Sequence, residues 1–192
     1  MENEEKLKKL YRECLQELSS IGITFEKEKI EIYLSKRNNK RYGCAKPGIP
    51  DESYKEILVK GWKRYIKYHH YKNYTIEISK WVMALEDSII KNTIIHELIH
   101  CLPYCNNHGS YFKQYAKKIN EKLGYHITRV GNKKEDYSQS HLLLEEKEKY
   151  NYQVQCPKCG ITFYRQRLQK NFTKKYRCAR CLGKLEVVKL DK

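Results

Sequence analysis

No window of this chain approaches the ~20 consecutive apolar residues that a membrane-spanning helix needs. Its first residues, MENEEKLKKLYREC, also lack the apolar h-region of a secretory signal. The expected setting is therefore cytoplasmic, with no membrane partner. In such a reducing compartment, closely spaced pairs among the 8 cysteines point to metal rather than to disulfides. Acidic residues are scarce, 23 against 39 basic ones, which leaves a formal net charge of +16. A surplus of that size creates a field that attracts polyanions, and nucleic acid is the leading partner class. The plainer alternative is a lysine-rich composition that only solvates the surface.

What is present supports one domain and a small appendage. At 192 residues with 40% hydrophobic content, the chain can supply a modest core. Residues 3–20 place Leu7, Leu10, Tyr11, Cys14, Leu15 and Leu18 at helical spacing, and Gly22 ends the run. KIEIYLS alternates as a strand does, and Asn38-Asn39 offers a turn into RYGCAKPG, so a hairpin is expected there. Residues 54–78 read as a possible helix followed by a strand at TIEIS. Within them Trp62, Lys63, Arg64, Tyr65, Lys67, Tyr68 and Tyr71 alternate cations with aromatics. Such a run either stacks on exposed bases and neutralises phosphates, or turns its aromatics into the core. His69 and His70 read as surface or packing residues.

The segment NTIIHELIHCLPYCNNHGSYF, residues 92–112, carries the chemistry. Asp87 or Ser88 can cap a helix in which Ile90, Ile94, Ile95, Leu98, Ile99 and Leu102 form an apolar stripe. His96 and His100 are one turn apart on the opposite face. Pro103 should take the chain off the helical path just after His100, and Asn106 and Asn107 tolerate a turn. An amphipathic run, YFKQYAKKINEKLG, follows. Two histidines at this spacing bite a tetrahedral zinc, which in catalytic sites takes three protein ligands and leaves one position open. Glu97, beside the first ligand, suits a general base. The plainer reading is a core helix that happens to bear histidines. His108 can swing back as third ligand; Glu121, His126 and His141 compete with it.

At the other end, Cys156 and Cys159 form one CxxC, and Cys178 and Cys181 another, at the spacing of a four-cysteine structural zinc site. Gly160 and Gly183 would allow the tight turns, and YQVQ, ITFY, YRC and LEVV would supply short strands of a zinc ribbon. Residues 150–192 hold eleven basic residues against two acidic ones, +9 of the total +16. Arg165, Arg167, Lys170, Lys174, Lys175, Arg177 and Arg180 thus read as a surface that tracks phosphates without reading base sequence. Between the two parts, Leu142, Leu143 and Leu144 read as buried.

HELIH, HGSYF opening the next helix, CPKCGITFYRQR and YRCARCLGKL together resemble the SprT-like family of zinc metalloproteases, which includes the Spartan-type DNA-protein crosslink proteases. RYGCAKPG and YTIEIS ahead of the active helix are similar to that family's layout. The link between the second and third histidines is short beside many members, and the extended binding tails of the eukaryotic proteins are absent. The resemblance implies an α+β architecture. Its first part is a zincin-like metalloprotease domain over residues 1–148, a small antiparallel sheet packed on helices with the active helix carrying HELIH. Its second part is a four-cysteine zinc ribbon over residues 149–192. It further implies His96, His100 and His108 as ligands of one catalytic zinc, Glu97 as base, and a second, structural zinc. The function expected is a DNA-associated zinc endopeptidase, acting as a monomer on proteins bound or crosslinked to DNA. The alternatives are a nucleic-acid-binding or transcription-associated zinc protein without protease activity, and a gluzincin-like peptidase independent of DNA.

Overall fold

Helix α1, Glu2–Ser20, buries the six apolar side chains that its periodicity marks: Leu7, Leu10, Tyr11, Cys14, Leu15 and Leu18. Glu2, Glu4 and Glu5 in its first turn complement the positive end of the helix dipole. Gly22, at φ +78°, takes the left-handed conformation that ends the run. The structure is a computed structural model and describes residues 2–35, 37, 40–142 and 150–190. The chain forms two compact units, Met1–Leu144 and Glu145–Lys192. The boundary expected between residues 148 and 149 lies outside the described residues, as does the Asn38-Asn39 turn.

The first unit contains a sheet of β1 (Ile30–Ser35), β2 (Gly43–Pro47) and a third strand, Tyr74–Ser79, numbered β5 in chain order after the β3–β4 hairpin. The order is β1-β5-β2: β5 runs parallel to β1 and antiparallel to β2. The hairpin expected between β1 and β2 does not form, because β5 inserts between them. All of β5 but Thr75 is buried, so it takes the centre, where both edges and both faces are covered. The sheet is accordingly mixed rather than antiparallel.

The helix considered for residues 54–78 is also absent. Lys55–Lys60 (β3) and Lys63–Tyr68 (β4) instead pair as a two-stranded antiparallel ribbon. Its two-residue loop is Gly61-Trp62, and Gly61 at φ +58° supplies the positive dihedral that a tight hairpin turn demands. Ile57, Val59, Tyr65 and Ile66 are β-branched or aromatic, and no 3.6-residue stripe links them.

Helix α2, Asp87–His100, packs against α1, β2 and β5 and against the next helix, α3 (Ser110–Leu123). It buries Ile89, Thr93 and Glu97 as well as the expected stripe from Ile90 to Ile99, so it is a core helix covered on most sides rather than a one-faced one; Leu102, the last of that stripe, lies past the helix end and is half-buried. Neither Asp87 nor Ser88 caps it. The N-cap position belongs to Glu86, whose carbonyl accepts from the amides of Ile89 and Ile90, while Asp87 pairs with Lys6 of α1 at 2.8 Å. A short helix α4, Lys133–Gln139, follows, with the Asn132 side chain accepting from the Glu135 amide. Leu142, expected inside, is 37% exposed; Leu143 and Leu144 lie outside the described residues.

The second unit holds a three-stranded antiparallel sheet, β7-β6-β8, of β6 (Tyr152–Gln155), β7 (Thr162–Arg165) and β8 (Glu186–Lys189), with a one-turn helix α5, Phe172–Lys175. YRC forms only a single bridge, Arg177 with Lys184, rather than a strand. The whole is a mixed α/β chain of small sheets and helices. Among the described residues, no helix is long and apolar enough to cross a membrane.

Candidate functional site

Helix α2 presents His96 and His100 one turn apart, and the chain leaves the helix directly after His100. The chain then turns at Tyr104, which takes φ +63°, and bends again through Asn106 and Asn107. The Tyr104 amide donates to the His69 carbonyl at 2.8 Å, and the Asn107 side chain accepts from the Gly109 amide, which starts α3. This short loop returns His108 to the helix: its Nε2 lies 3.0 Å from His96 Nε2 and 3.3 Å from His100 Nε2. One ring nitrogen from each of the three histidines lies within 4.8 Å of the other two. Glu121, His126 and His141, the competitors for third place, are not in the cluster. Glu121 faces Lys117 at 3.8 Å on α3, and the His126 amide is taken by Asn92.

The outer nitrogens fix which inner ones carry lone pairs. His96 Nδ1 lies 3.0 Å from the Thr128 carbonyl and His100 Nδ1 lies 2.7 Å from the Cys105 carbonyl. A carbonyl only accepts, so each Nδ1 bears the proton and each Nε2 is left as an acceptor pointing into the cluster. His108 has at most one Nε2 proton to share between two acceptors. Tetrahedral zinc–nitrogen bonds of about 2.0–2.1 Å would set ligand nitrogens about 3.3 Å apart, which the observed spacing fits. Burial, then repulsion from His100 and His108, pulls the His96 imidazole down to about 4. Burial lowers His100 and His108 as well. All three rings are thus held neutral, the form that can bind a metal ion.

Under the three rings lies Phe112, 2% exposed, with its ring centroid 4.9 Å from His96, 4.9 Å from His100 and 4.7 Å from His108. No motif in the sequence singles it out, although its place four residues after His108 on a helix is a usable signal. The carbonyls of Thr128 and Cys105 are not legible there either, because they are backbone groups brought in by the fold. A cleft of about 310 Å³ opens beside His108, floored by Phe112, Ala116 and Ile127 and edged by Thr128 and Arg129.

Glu97 points towards β2. Its Oε2 accepts from the Ala45 amide at 2.8 Å, and the residue is only 6% exposed. Burial pushes its carboxyl up to about 7, against the lowering effects of the Ala45 amide and of Arg41. A carboxyl poised near neutrality can take a proton and give it back. Gly43 makes the room: a Cβ there would stand 2.8 Å from Glu97 Cγ and 2.9 Å from Oε1.

The second cluster is Cys156, Cys159, Cys178 and Cys181, whose sulfurs lie within 4.8 Å of one another. Cys156 and Cys181 are 3.4 Å apart, Cys159 and Cys178 3.5 Å, and all four are free thiols. The two CxxC turns are alike. Gly160 N donates to Cys156 O and Leu182 N to Cys178 O, each at 2.8 Å. Of the two glycines expected to allow the tight turns, Gly160 does so at φ +73°, whereas in the second turn the left-handed position is taken by Leu182 (+57°). Gly183 serves by close approach, since a Cβ there would lie 3.1 Å from Cys156 Sγ. Burial opposes ionisation of Cys178, but the amides of Arg180 and Cys181, together with the Cys159 and Cys181 thiols, outweigh it and hold the thiol below its ordinary value. Four converging sulfurs, two of them served by backbone amides, suit a structural metal ion.

Arg165, Arg167, Lys170, Lys174, Lys175, Arg177 and Arg180 are all exposed. Among the described residues none of them forms an ion pair. Arg177 is partly engaged, since its Nη1 donates to the carbonyls of Thr173 at 2.9 Å and Tyr176 at 3.1 Å, closing α5. Arg165 lies 5.3 Å from the Phe163 ring centre.

Compared with known protein families, residues 4–131 match the SprT-like family. No curated protein matches the chain.

Proposed function

Because the chain belongs to the SprT-like family, which carries a metalloprotease-type function, we propose that it is a zinc-dependent endopeptidase of zincin-like architecture that acts on proteins held on or crosslinked to DNA. The observation that carries the reading is the convergence of three imidazole nitrogens, His96, His100 and His108 Nε2, with a buried carboxyl group on the residue next to the first. Zinc held there would supply Lewis acidity towards a scissile carbonyl and towards water. Glu97 accepts the proton of the attacking water and delivers it to the departing amine. The Ala45 amide holds the carboxylate in place, and the carbonyls of Thr128 and Cys105 keep the two helix histidines in the binding tautomer. Cys156, Cys159, Cys178 and Cys181 would hold a second zinc, which would supply the cross-link that keeps the ribbon together.

The DNA half of the proposal is supported by charge. The basic surplus is concentrated on the second unit, where its cations are exposed. Contacts of that kind raise the local concentration of DNA-bound protein around the protease without reading sequence. The test is cleavage of a DNA-bound protein by the purified chain. Glu97→Gln is expected to abolish turnover while both metals stay bound, and undiminished cleavage by that variant would remove the mechanism.

One observation favours a second reading, a nucleic-acid-binding zinc protein without protease activity: Glu97 is nearly sealed from solvent and already hydrogen-bonded to β2. The same assay separates the two, since this reading expects no cleavage with or without DNA although the zinc content is unchanged.

A further inference from the structure

The β3–β4 hairpin plays no part in the proposed proteolysis, and its surface is unusual. It is a two-stranded sheet by itself, which is marginal in water, and both its faces are open. Trp62 at the turn is wholly exposed at 105%, and Tyr65 at 47% stands three residues on. Directly beside Trp62, Lys60 is paired across the strands with Lys63, and Arg64 follows opposite Val59. Like charges set opposite each other destabilise a hairpin. Among the described residues Lys60, Lys63 and Arg64 have no acidic partner, and the neighbouring Glu56 is held by His69 at 2.6 Å.

We propose that this hairpin is a nucleic-acid-binding finger, in which Trp62 stacks on an unpaired base and Lys60, Lys63 and Arg64 contact the flanking phosphates. A polyanion relieves the repulsion between the paired lysines, and an aromatic face beside cations is what single strands bind. Strands in a duplex already have their bases stacked, so a fully exposed indole gains most from an unpaired one. A membrane surface fits less well. Sinking Trp62 would carry Lys60 and Lys63 towards hydrocarbon at the deepest point. The base of the finger, though not its tip, adjoins the loop that carries the third histidine. It is tied to that loop, between His100 and His108, by the Tyr104 amide on the His69 carbonyl at 2.8 Å and by the Asn106 side chain on the Tyr68 carbonyl at 2.9 Å. The finger shares with the proposed function only its class of partner, and needs neither proteolysis nor the ribbon.

The test uses the full chain and a fluorescent oligothymidylate of about 15 nucleotides, near the upper range of single-strand site sizes. Binding is read by anisotropy. The two tryptophans, Trp62 and Trp81, are separated by a Trp81→Phe variant, in which oligonucleotide should still quench the remaining emission. Trp62→Ala, at a fully exposed position, should keep the wild-type Tm and weaken binding about 5- to 100-fold. Lys60→Gln with Lys63→Gln should lower the slope of log K against log salt by about 1.4. Unchanged affinity in Trp62→Ala overturns the proposal. So does equal affinity and quenching with a duplex, or tighter binding to phosphatidylserine vesicles. If neutralising Lys174, Lys175 and Arg180 removes all binding while the hairpin variants remove none, the finger falls and the ribbon reading stands. No binding to any nucleic acid overturns both.

Discussion

Glu97 and Gly43 are in contact so close that any side chain at position 43 must displace the glutamate: an added Cβ would lie 2.8 Å from Glu97 Cγ. The glycine on β2 therefore sets where the carboxylate on α2 can rest. Gly43→Ala should push Glu97 off the Ala45 amide while leaving the three histidines untouched. Displacing a reacting group by about 1 Å can cost about 100-fold in rate. We expect kcat of the proposed protease to fall by about that factor with full metal content. Unaltered kcat would mean that the position of the carboxylate does not matter.

Phe112 supports all three histidine rings and is itself buried. Phe112→Ala should lower stability by about 3–5 kcal/mol through the cavity it leaves. It should also weaken zinc binding at the histidines about 10- to 100-fold, as loss of a ligand's support does. Phe112→Leu should recover most of both. Thermal melts and competitive zinc titration read the two effects separately. Full zinc affinity in a folded Phe112→Ala protein would show that the rings need no floor.

The two units should respond differently to a strong chelator. The buried core of the second unit rests on Val154, Cys156, Cys178 and Leu185, so half of it is thiol from the four-cysteine cluster. The first unit has a continuous apolar core from α1 through α3. Small domains with cores of the former kind fold only with their metal. Hydrogen exchange should show residues 150–190 losing protection on chelation while α1, β5 and α2 keep theirs. Retained protection in the second unit would contradict a structural metal.

Glu77, on β5, accepts hydrogen bonds from Lys46 and from the Tyr33 hydroxyl. The Lys46 bond first, then the Tyr33 bond, holds its carboxyl below the ordinary 4.5 despite burial. Because the folded value is the lower one, the stabilisation is complete above about pH 4.5 and disappears as pH falls through the depressed value. Glu77→Gln should cost about 1–2 kcal/mol at pH 7, a modest figure because Lys46 is half exposed and solvent screens it. The gap between the two proteins should close in acid. A constant gap in urea melts from pH 7 to pH 3 would rule out this linkage.

Features carried by neighbours in the chain are legible in the residues themselves. The α1 face from Leu7 to Leu18, the break after His100 and the two CxxC turns all depend on contacts within a few residues. Spacing alone specifies such contacts. Pairing across distance is not legible in the same way. β1 and β2 resemble a hairpin because they are adjacent in the chain, but β5 takes the place between them and is the most deeply buried of the three, although β1 is at least as apolar in sequence. Residues 55–68 are ambiguous because cations and aromatics fit a helix surface as well as a ribbon, and only the Gly61 turn decides.

By itself the sequence determined that His96 and His100 share one side of a helix, that four cysteines can close on one metal, and that the charge is unbalanced. The tertiary structure alone decided that His108 rather than Glu121 completes the cluster. It also decided that two backbone carbonyls set the tautomers and that Glu97 is sheltered beneath β2. Helical spacing is a local geometric constraint, whereas these contacts join segments up to 52 residues apart, as Ala45 and Glu97 are. Only the packing of the whole core fixes such distances.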